Sequence, residues 1–107
     1  MIDVVHYLIP IGDDPFQSWL DELEDLKARV AVLRRIDRVS AGNFGDHKFL
    51  RDEVWELRVD VGPGYRVYFG QQGKTFVLLL CGGTKRAQSA EINRAARYLA
   101  DFRRRQH

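Results

Sequence analysis

VWELRVDVGPGYRVYFG, residues 54–70, predicts two antiparallel β-strands joined by a tight turn. Gly62-Pro63-Gly64 favours the turn, since glycine tolerates positive φ and proline fixes its own φ. Apolar and polar residues alternate before the turn, which is typical of a strand that packs one face on a core. Arg58 and Arg66 flank the turn and become neighbours across the hairpin, so the predicted fold also brings two cations together.

Further strands and three helices complete an α+β domain around this hairpin. The run Phe76–Leu80 is apolar at every position, which predicts a central strand covered on both faces. Gly82-Gly83 is expected to end that strand and Thr84 to cap the last helix. The predicted strands span residues 2–9, 47–50, 54–61, 65–70 and 75–81, and the predicted helices span residues 15–23, about 26–40, and 84 to about 102. We therefore expect an N-terminal strand, an αα-hairpin, an antiparallel meander and a C-terminal helix, with the helices on one face of the sheet.

Length and composition indicate a single globular domain, residues 1–107. Hydrophobic residues make up 45% of the chain and charged residues 30%, which is not the composition of a disordered polymer. Cys81 is the lone cysteine, which excludes an internal disulfide and a multi-cysteine zinc site and favours a reducing cytoplasm. The apolar run that ends at Cys81 is too short to cross a bilayer, and the first residues do not resemble a signal peptide. We therefore expect a cytoplasmic protein that does not bind a membrane.

Charge is distributed unevenly along the chain. Residues 1–26 contain seven acidic side chains and no lysine or arginine, whereas residues 27–107 contain all 17 lysines and arginines against eight acids. A body with this cationic excess suits a polyanion or an acidic partner chain. A solvated basic face accounts for the same charge equally well.

Several enzyme classes are disfavoured by missing motifs. The sequence lacks the phosphate-binding loop of nucleotide hydrolases, the paired histidines of zinc proteases and the nucleophile elbow of serine hydrolases. The three histidines are scattered along the chain, so we expect neither a metal nor a cofactor.

The remaining candidate chemistry depends on cations. Lys85 and Arg86 open the last helix, where backbone N–H groups also favour an anion. Arginine binds phosphate oxygens through its planar fork and keeps its charge, so Arg58, Arg66 and Lys85 at one spot would stabilise a phosphorane-like transition state. Alternatively, Arg58 pairs only with a carboxylate of its own strand. Tyr68 is a candidate for stacking on a base, although strand tyrosines more often belong to the core.

Four segments together resemble a known family. They are NFGDHK (43–48), VWELR (54–58), GPGYRVYF (62–69) and LLLCGGTKRAQ (78–88). Over roughly residues 14–100, the chain resembles the RelE/ParE toxin superfamily, specifically its HigB-like "addiction module killer protein" branch.

This resemblance implies a RelE-like fold and a bacterial type II toxin. A cognate antitoxin, often a helix-turn-helix protein, would hold the toxin inactive, and operator DNA would be bound only through that antitoxin. For many relatives, the resemblance also implies metal-free cleavage of mRNA on the ribosome, in which a 2′-hydroxyl attacks the adjacent phosphate. The resemblance carries over to Arg58, Arg66, Lys85 and Arg86, which match cationic positions of the family pattern. We therefore predict Arg58, Arg66 and Lys85 as catalytic residues and Lys48, Tyr68 and Arg86 as RNA contacts.

Two departures from the nuclease pattern leave the mechanism open. The lysines of the best-known RelE nucleases would fall at Val54 and Glu56, and their last-helix tyrosine near Ile92. Glu56, His47 or Lys48 could supply the base. Relatives of the ParE type share the fold and inhibit DNA gyrase without cutting RNA, so gyrase inhibition is the main alternative. A non-toxic binding module is the third hypothesis.

Overall fold

A computed structural model of the chain describes residues 1–106. The elements in chain order are β1 (Asp3–His6), α1 (Pro15–Glu22), α2 (Leu26–Ser40), β2 (His47–Arg51), β3 (Val54–Val59), β4 (Tyr65–Gln72), β5 (Phe76–Thr84), a short 3₁₀-helix (Lys85–Ala87) and α3 (Gln88–Arg104). The strands form one five-stranded sheet in the order β1-β5-β4-β3-β2. Strands β2 to β5 form the predicted antiparallel meander, and β1 joins its edge parallel to β5. Given their length and hydropathy, the helices in this described range could not span a bilayer.

Helices cover both faces of the sheet, so the prediction of helices on one face is wrong. Phe16, Leu20 and Val32 place α1 and α2 on one face, and Ala95 and Leu99 place α3 on the other. The reason lies in β5, whose side chains are apolar towards both faces and are buried on both. In position, β5 is an interior strand next to β1, and β4 occupies the centre of the sheet.

Strand β5 continues through Gly82 and Gly83 to Thr84, where the sequence predicted a break. A Cβ on Gly82 would overlap the ring of Trp19, and a Cβ on Gly83 would overlap the carboxylate of Glu91. The two glycines therefore allow α1 and α3 to approach opposite faces of the strand. The strand carries the chain directly to Lys85, the first residue of the 3₁₀-helix.

Strand β1 ends at His6, before the predicted end at Ile9. Tyr7 still donates its backbone N–H to Leu79 at 2.9 Å, but its side chain packs on α3. There its hydroxyl donates to Asp101 Oδ2 at 2.6 Å, which satisfies the polar end of a buried ring. The contact with α3 thus ties the N-terminal segment to the C-terminal helix.

Candidate anion-binding site

The β3–β4 hairpin makes Arg58 and Arg66 cross-strand neighbours, as predicted. The two lie directly opposite each other, whereas counting outward from Pro63 predicts pairing of Arg58 with residues near 67–68. They border an open hollow of about 360 Å³ at the hairpin turn, which Lys85 of the 3₁₀-helix also lines. The lining residues are Asp46, Arg58, Val59, Asp60, Gly62, Pro63, Gly64, Tyr65, Arg66 and Lys85. Three cations from two separate parts of the chain therefore meet at one cavity.

A buried carboxylate holds the arginine pair together. Glu56 is only 1% exposed, and its Oε2 accepts from Nε of Arg58 at 2.8 Å and from Nη1 of Arg66 at 2.5 Å. The hydrogen bond and the negative charge of Glu56 raise the pKa of the Arg58 guanidinium. The shared carboxylate also compensates the repulsion expected between like charges at opposite positions. Arg58 does pair with an acid of its own strand, but it shares that acid with Arg66 and still lines the hollow.

Lys85 is the most accessible of the three cations. Its Cδ would lie 3.9 Å from a Cβ on Gly64, so its stem runs beside the hairpin turn. The residue is exposed, and in the part of the chain that the structure describes it forms no salt bridge. An anion that enters the hollow can therefore meet the ammonium group without displacing a carboxylate.

Two acids stand at the rim of the hollow. Asp46 Oδ1 lies 3.8 Å from Nη1 of Arg58, and Asp60 lines the hollow just before the turn. Together with Glu56, these acids equal the three cations in number, so anion binding here depends on oriented donors and not on net charge. Among residues 1–106, no group of three or more histidine, cysteine or acidic side chains could hold a metal ion.

Arg35 of helix α2 holds the backbone at the rim of the hollow through three hydrogen bonds. Its guanidinium donates to the backbone oxygen of Arg58, to that of Phe44 at 2.7 Å and to that of Asp46 at 3.3 Å. Burial lowers the pKa of this guanidinium, and the nearby charge of Arg38 lowers it further. Helix α2 thereby holds the loop that carries Asp46 beside β3.

Lys48 and Arg86 lie outside the lining of the hollow. Lys48 is exposed on β2 directly opposite Glu56, which places it on the same face of the sheet as the arginine pair. Arg86 is exposed in the 3₁₀-helix beside Lys85. Their roles as RNA contacts stay predictions, with both side chains accessible to solvent.

Tyr68, also predicted to contact RNA, lies in the core instead. The residue is fully buried on β4, and its hydroxyl donates to Oε1 of Glu91 at 3.3 Å. Burial, followed by the nearby charge of Glu91, raises the pKa of the phenol. Helix α3 covers the ring, so Tyr68 offers no exposed face on which a base could stack.

The three candidate bases lie away from the open part of the hollow. Glu56 is buried and bound to the arginines, and Lys48 lies outside the lining. His47 packs against aromatic side chains on the opposite face of the sheet, the face that α1 and α2 cover. The lining carboxylates that could accept a proton are those of Asp46 and Asp60.

Sequence reasoning missed how the site is anchored. Gln88, the first residue of α3, lies with its Nε2 3.5 Å from Oε1 of Glu56. The sequence signal that could have indicated this anchoring is the alternation that puts Glu56 and Arg58 on one face of β3. A solvated acid and a buried one give the same alternation, so the pattern could not reveal the anchor.

Comparison with known proteins places the three lining cations inside a family domain. Residues 18–104 match the family model described as Phage derived protein Gp49-like (DUF891). A protein of Haemophilus influenzae, described as uncharacterized, is 48% identical over 80 residues, which make up 75% of this chain and 81% of that protein. The chain therefore belongs to the phage-derived Gp49-like family, a family of RelE-like, toxin-like proteins.

Proposed function

We propose that this protein is the toxin of a type II toxin–antitoxin system, of the HigB-like branch, and that it cleaves mRNA on the ribosome without a metal. The observation that carries the proposal is the convergence of Arg58, Arg66 and Lys85 on one open hollow. Membership of a toxin-like family supports it independently.

In the proposed reaction, the 2′-hydroxyl of a ribose attacks the adjacent phosphorus. The O2′–P bond forms and the P–O5′ bond breaks, which leaves a 2′,3′-cyclic phosphate on one product and a 5′-hydroxyl on the other. A base takes the proton of the 2′-hydroxyl, and the 5′-oxygen gains a proton as it leaves. Asp46 and Asp60 are the lining groups placed to accept a proton.

The cations act on the charge that builds up at phosphorus. The phosphorane-like transition state carries more negative charge than the diester, and donors that are already oriented stabilise that extra charge. Arg58 and Arg66 supply guanidinium N–H groups that Glu56 orients, and Lys85 supplies an exposed ammonium group. Removal of one such donor costs about 10²–10³-fold in turnover in comparable sites.

The proposal also includes a cognate antitoxin. The charge of this chain indicates which kinds of side chain the antitoxin would present to it. Residues 27–107 carry a cationic excess, so a partner segment with acidic and apolar side chains would complement the basic face. In this proposal the antitoxin is a helix-turn-helix protein, operator DNA is bound only through it, and the toxin acts in the cytoplasm on translating ribosomes.

The end chemistry of RNA cut in a purified translation reaction tests the proposal. We expect the wild-type protein to cut mRNA in the presence of ribosomes and to leave a 5′-hydroxyl end that a kinase can label directly. Cleavage that leaves a 5′-phosphate, or intact mRNA at protein concentrations equal to those of the ribosomes, would contradict it.

Inhibition of DNA gyrase without chemistry is the second candidate function. The favouring observation is that Glu56, His47 and Lys48, the three candidate bases, all lie away from the open hollow. A supercoiling assay with purified gyrase separates the two functions. A gyrase inhibitor would block supercoiling and leave mRNA intact, whereas the proposed nuclease would leave gyrase active.

A further inference from the structure

We infer that Glu56 is a positioning residue, which orients Arg58 and Arg66 towards the substrate phosphate without touching the substrate itself. This inference rests on the proposed function and assigns a role to a residue of the same site. It follows from the burial of one carboxylate beneath two guanidinium groups.

The two arginines lie opposite each other, so their charges require compensation. Arg58 and Arg66 are paired in register on antiparallel strands, where like charges destabilise a sheet. A single oxygen of Glu56 accepts from both, at 2.8 Å and 2.5 Å. The carboxylate is 1% exposed, so water competes little for these charge-assisted hydrogen bonds.

Glu56 engages only one nitrogen atom of each guanidinium group. Its carboxylate accepts from Nε of Arg58 and from Nη1 of Arg66, so the bound nitrogen differs between the two guanidinium groups. Within the described residues, both terminal nitrogens of Arg58 and the second terminal nitrogen of Arg66 make no hydrogen bond to the protein. Nη2 of Arg58 and Nη2 of Arg66 are left for phosphate oxygens, whereas Nη1 of Arg58 faces Oδ1 of Asp46 at 3.8 Å, too far for a hydrogen bond.

Glu56 also contacts the residue that follows the segment carrying Lys85. Oε1 of Glu56 lies 3.5 Å from Nε2 of Gln88, which starts α3 directly after the 3₁₀-helix of Lys85. One buried carboxylate therefore contacts both arginines and the residue that follows the 3₁₀-helix of Lys85. A displacement of about 1 Å in such a constellation can reduce turnover about 100-fold.

Kinetics of the Glu56→Gln variant, compared with the matched Glu53→Gln variant, test the inference. Both changes remove one negative charge without changing the size of the side chain, but Glu53 is exposed and pairs with Arg103, away from the hollow lining. We expect Glu56→Gln to lower kcat about 10–100-fold without raising KM, because the arginines lose orientation but not charge. Glu53→Gln should keep the wild-type kcat. A folded Glu56→Gln variant with the wild-type kcat would overturn the inference.

A second variant covers the case in which Glu56→Gln does not fold. Glu56→Asp keeps the buried charge but is one methylene shorter, so it cannot reach both guanidinium groups in the same geometry. We expect a lower kcat with unchanged KM in this variant, and the wild-type kcat would again contradict the positioning role.

A spectroscopic measurement separates failure of this inference from failure of the proposed function. In ¹⁵N–¹H spectra of the wild-type protein, the Nε–H signal of Arg58 should be shifted and slow to exchange because it donates to Glu56. The signal should lose both properties in Glu56→Gln but keep them in Glu53→Gln. If the wild-type protein cuts no RNA, the nuclease proposal fails, and unchanged Arg58 signals in Glu56→Gln would reject the positioning role on their own.

Discussion

Arg58 and Arg66 lie directly opposite each other on adjacent antiparallel strands and donate to the same carboxylate oxygen. Two cations in such register would repel each other across a bare sheet. The buried carboxylate of Glu56 accepts a hydrogen bond from each arginine and so offsets this repulsion. The remaining N–H groups of the two arginines border an open hollow. A change to this pair is therefore expected to affect both the stability of the fold and the proposed reaction.

Arg66→Ala should reduce stability as well as activity. Arg66 is 12% exposed, and its loss leaves Glu56 with Arg58 as its remaining strong partner. We expect the free energy of unfolding to fall by about 1–3 kcal/mol, as for other buried hydrogen bonds to a charged group. Urea denaturation followed by circular dichroism measures this.

A double-mutant cycle provides the control for this change. Glu56→Gln combined with Arg66→Ala should cost less than the sum of the two single changes, because the double variant leaves no buried carboxylate short of a partner. Strictly additive losses would show that the Glu56–Arg66 contact contributes nothing.

Much of the site could be predicted from sequence because it depends on local rules. Gly62-Pro63-Gly64 fixes the turn, the turn fixes the register, and the register brings Arg58 and Arg66 together. Lys85 follows a buried strand, which leads it to the same edge of the sheet. These relationships span few residues and need no knowledge of how the helices pack.

The remainder depends on tertiary packing that local patterns do not contain. Gly82 and Gly83 predicted a strand end, but their lack of a side chain serves the close approach of α1 and α3. Tyr68 had the alternation of a strand residue on the arginine face, and only the position of α3 decides that its ring is buried. Glu56 is buried as well, and Gln88 at the start of that helix lies 3.5 Å from its carboxylate, which the strand pattern alone does not reveal.

Gly82→Ala should destabilise the protein through overpacking. The new methyl group would overlap the ring of Trp19, which sits between the strand and the core of the α1 face. We expect a loss of about 1–3 kcal/mol in the free energy of unfolding. Thermal denaturation of Gly82→Ala and of the double variant with Trp19→Phe checks this: the smaller ring should recover part of the loss. Equal stability of Gly82→Ala and wild type would refute the close packing.

Glu91→Gln should stabilise the protein at neutral pH. Burial raises the pKa of this carboxyl, and the hydrogen bond from Tyr68 and the charge of Arg94 oppose that shift only in part. Stability from the protonated group is fully present below its unfolded pKa and is lost as the pH rises through its folded pKa. The variant should therefore have a higher melting temperature than wild type at pH 8, and the difference should shrink towards pH 4. A difference that is constant across this range would contradict the burial of an ionised Glu91.

Cys81 should resist thiol reagents in the folded protein. Burial raises its pKa to about 12, so the thiol stays protonated and inaccessible at pH 8. We expect slow alkylation by iodoacetamide in the native state and rapid, complete alkylation in 6 M guanidinium chloride, roughly the concentration that unfolds even very stable domains. Rapid alkylation of the native protein would indicate that the strand and α3 separate.

Mapping of transcript 5′ ends after brief induction, in cells that express wild type, Lys85→Gln or Arg104→Gln, tests the role of the cationic hollow most directly. Lys85 is exposed and forms no salt bridge in residues 1–106, so its replacement should leave the fold intact, and Arg104 is an exposed arginine at the far end of α3. We predict new 5′ ends within translated regions for wild type and Arg104→Gln, and a reduction of about 10²-fold or more for Lys85→Gln. Equal cleavage by folded Lys85→Gln and wild type, or no new ends with any of the three proteins, would contradict the role assigned to the hollow.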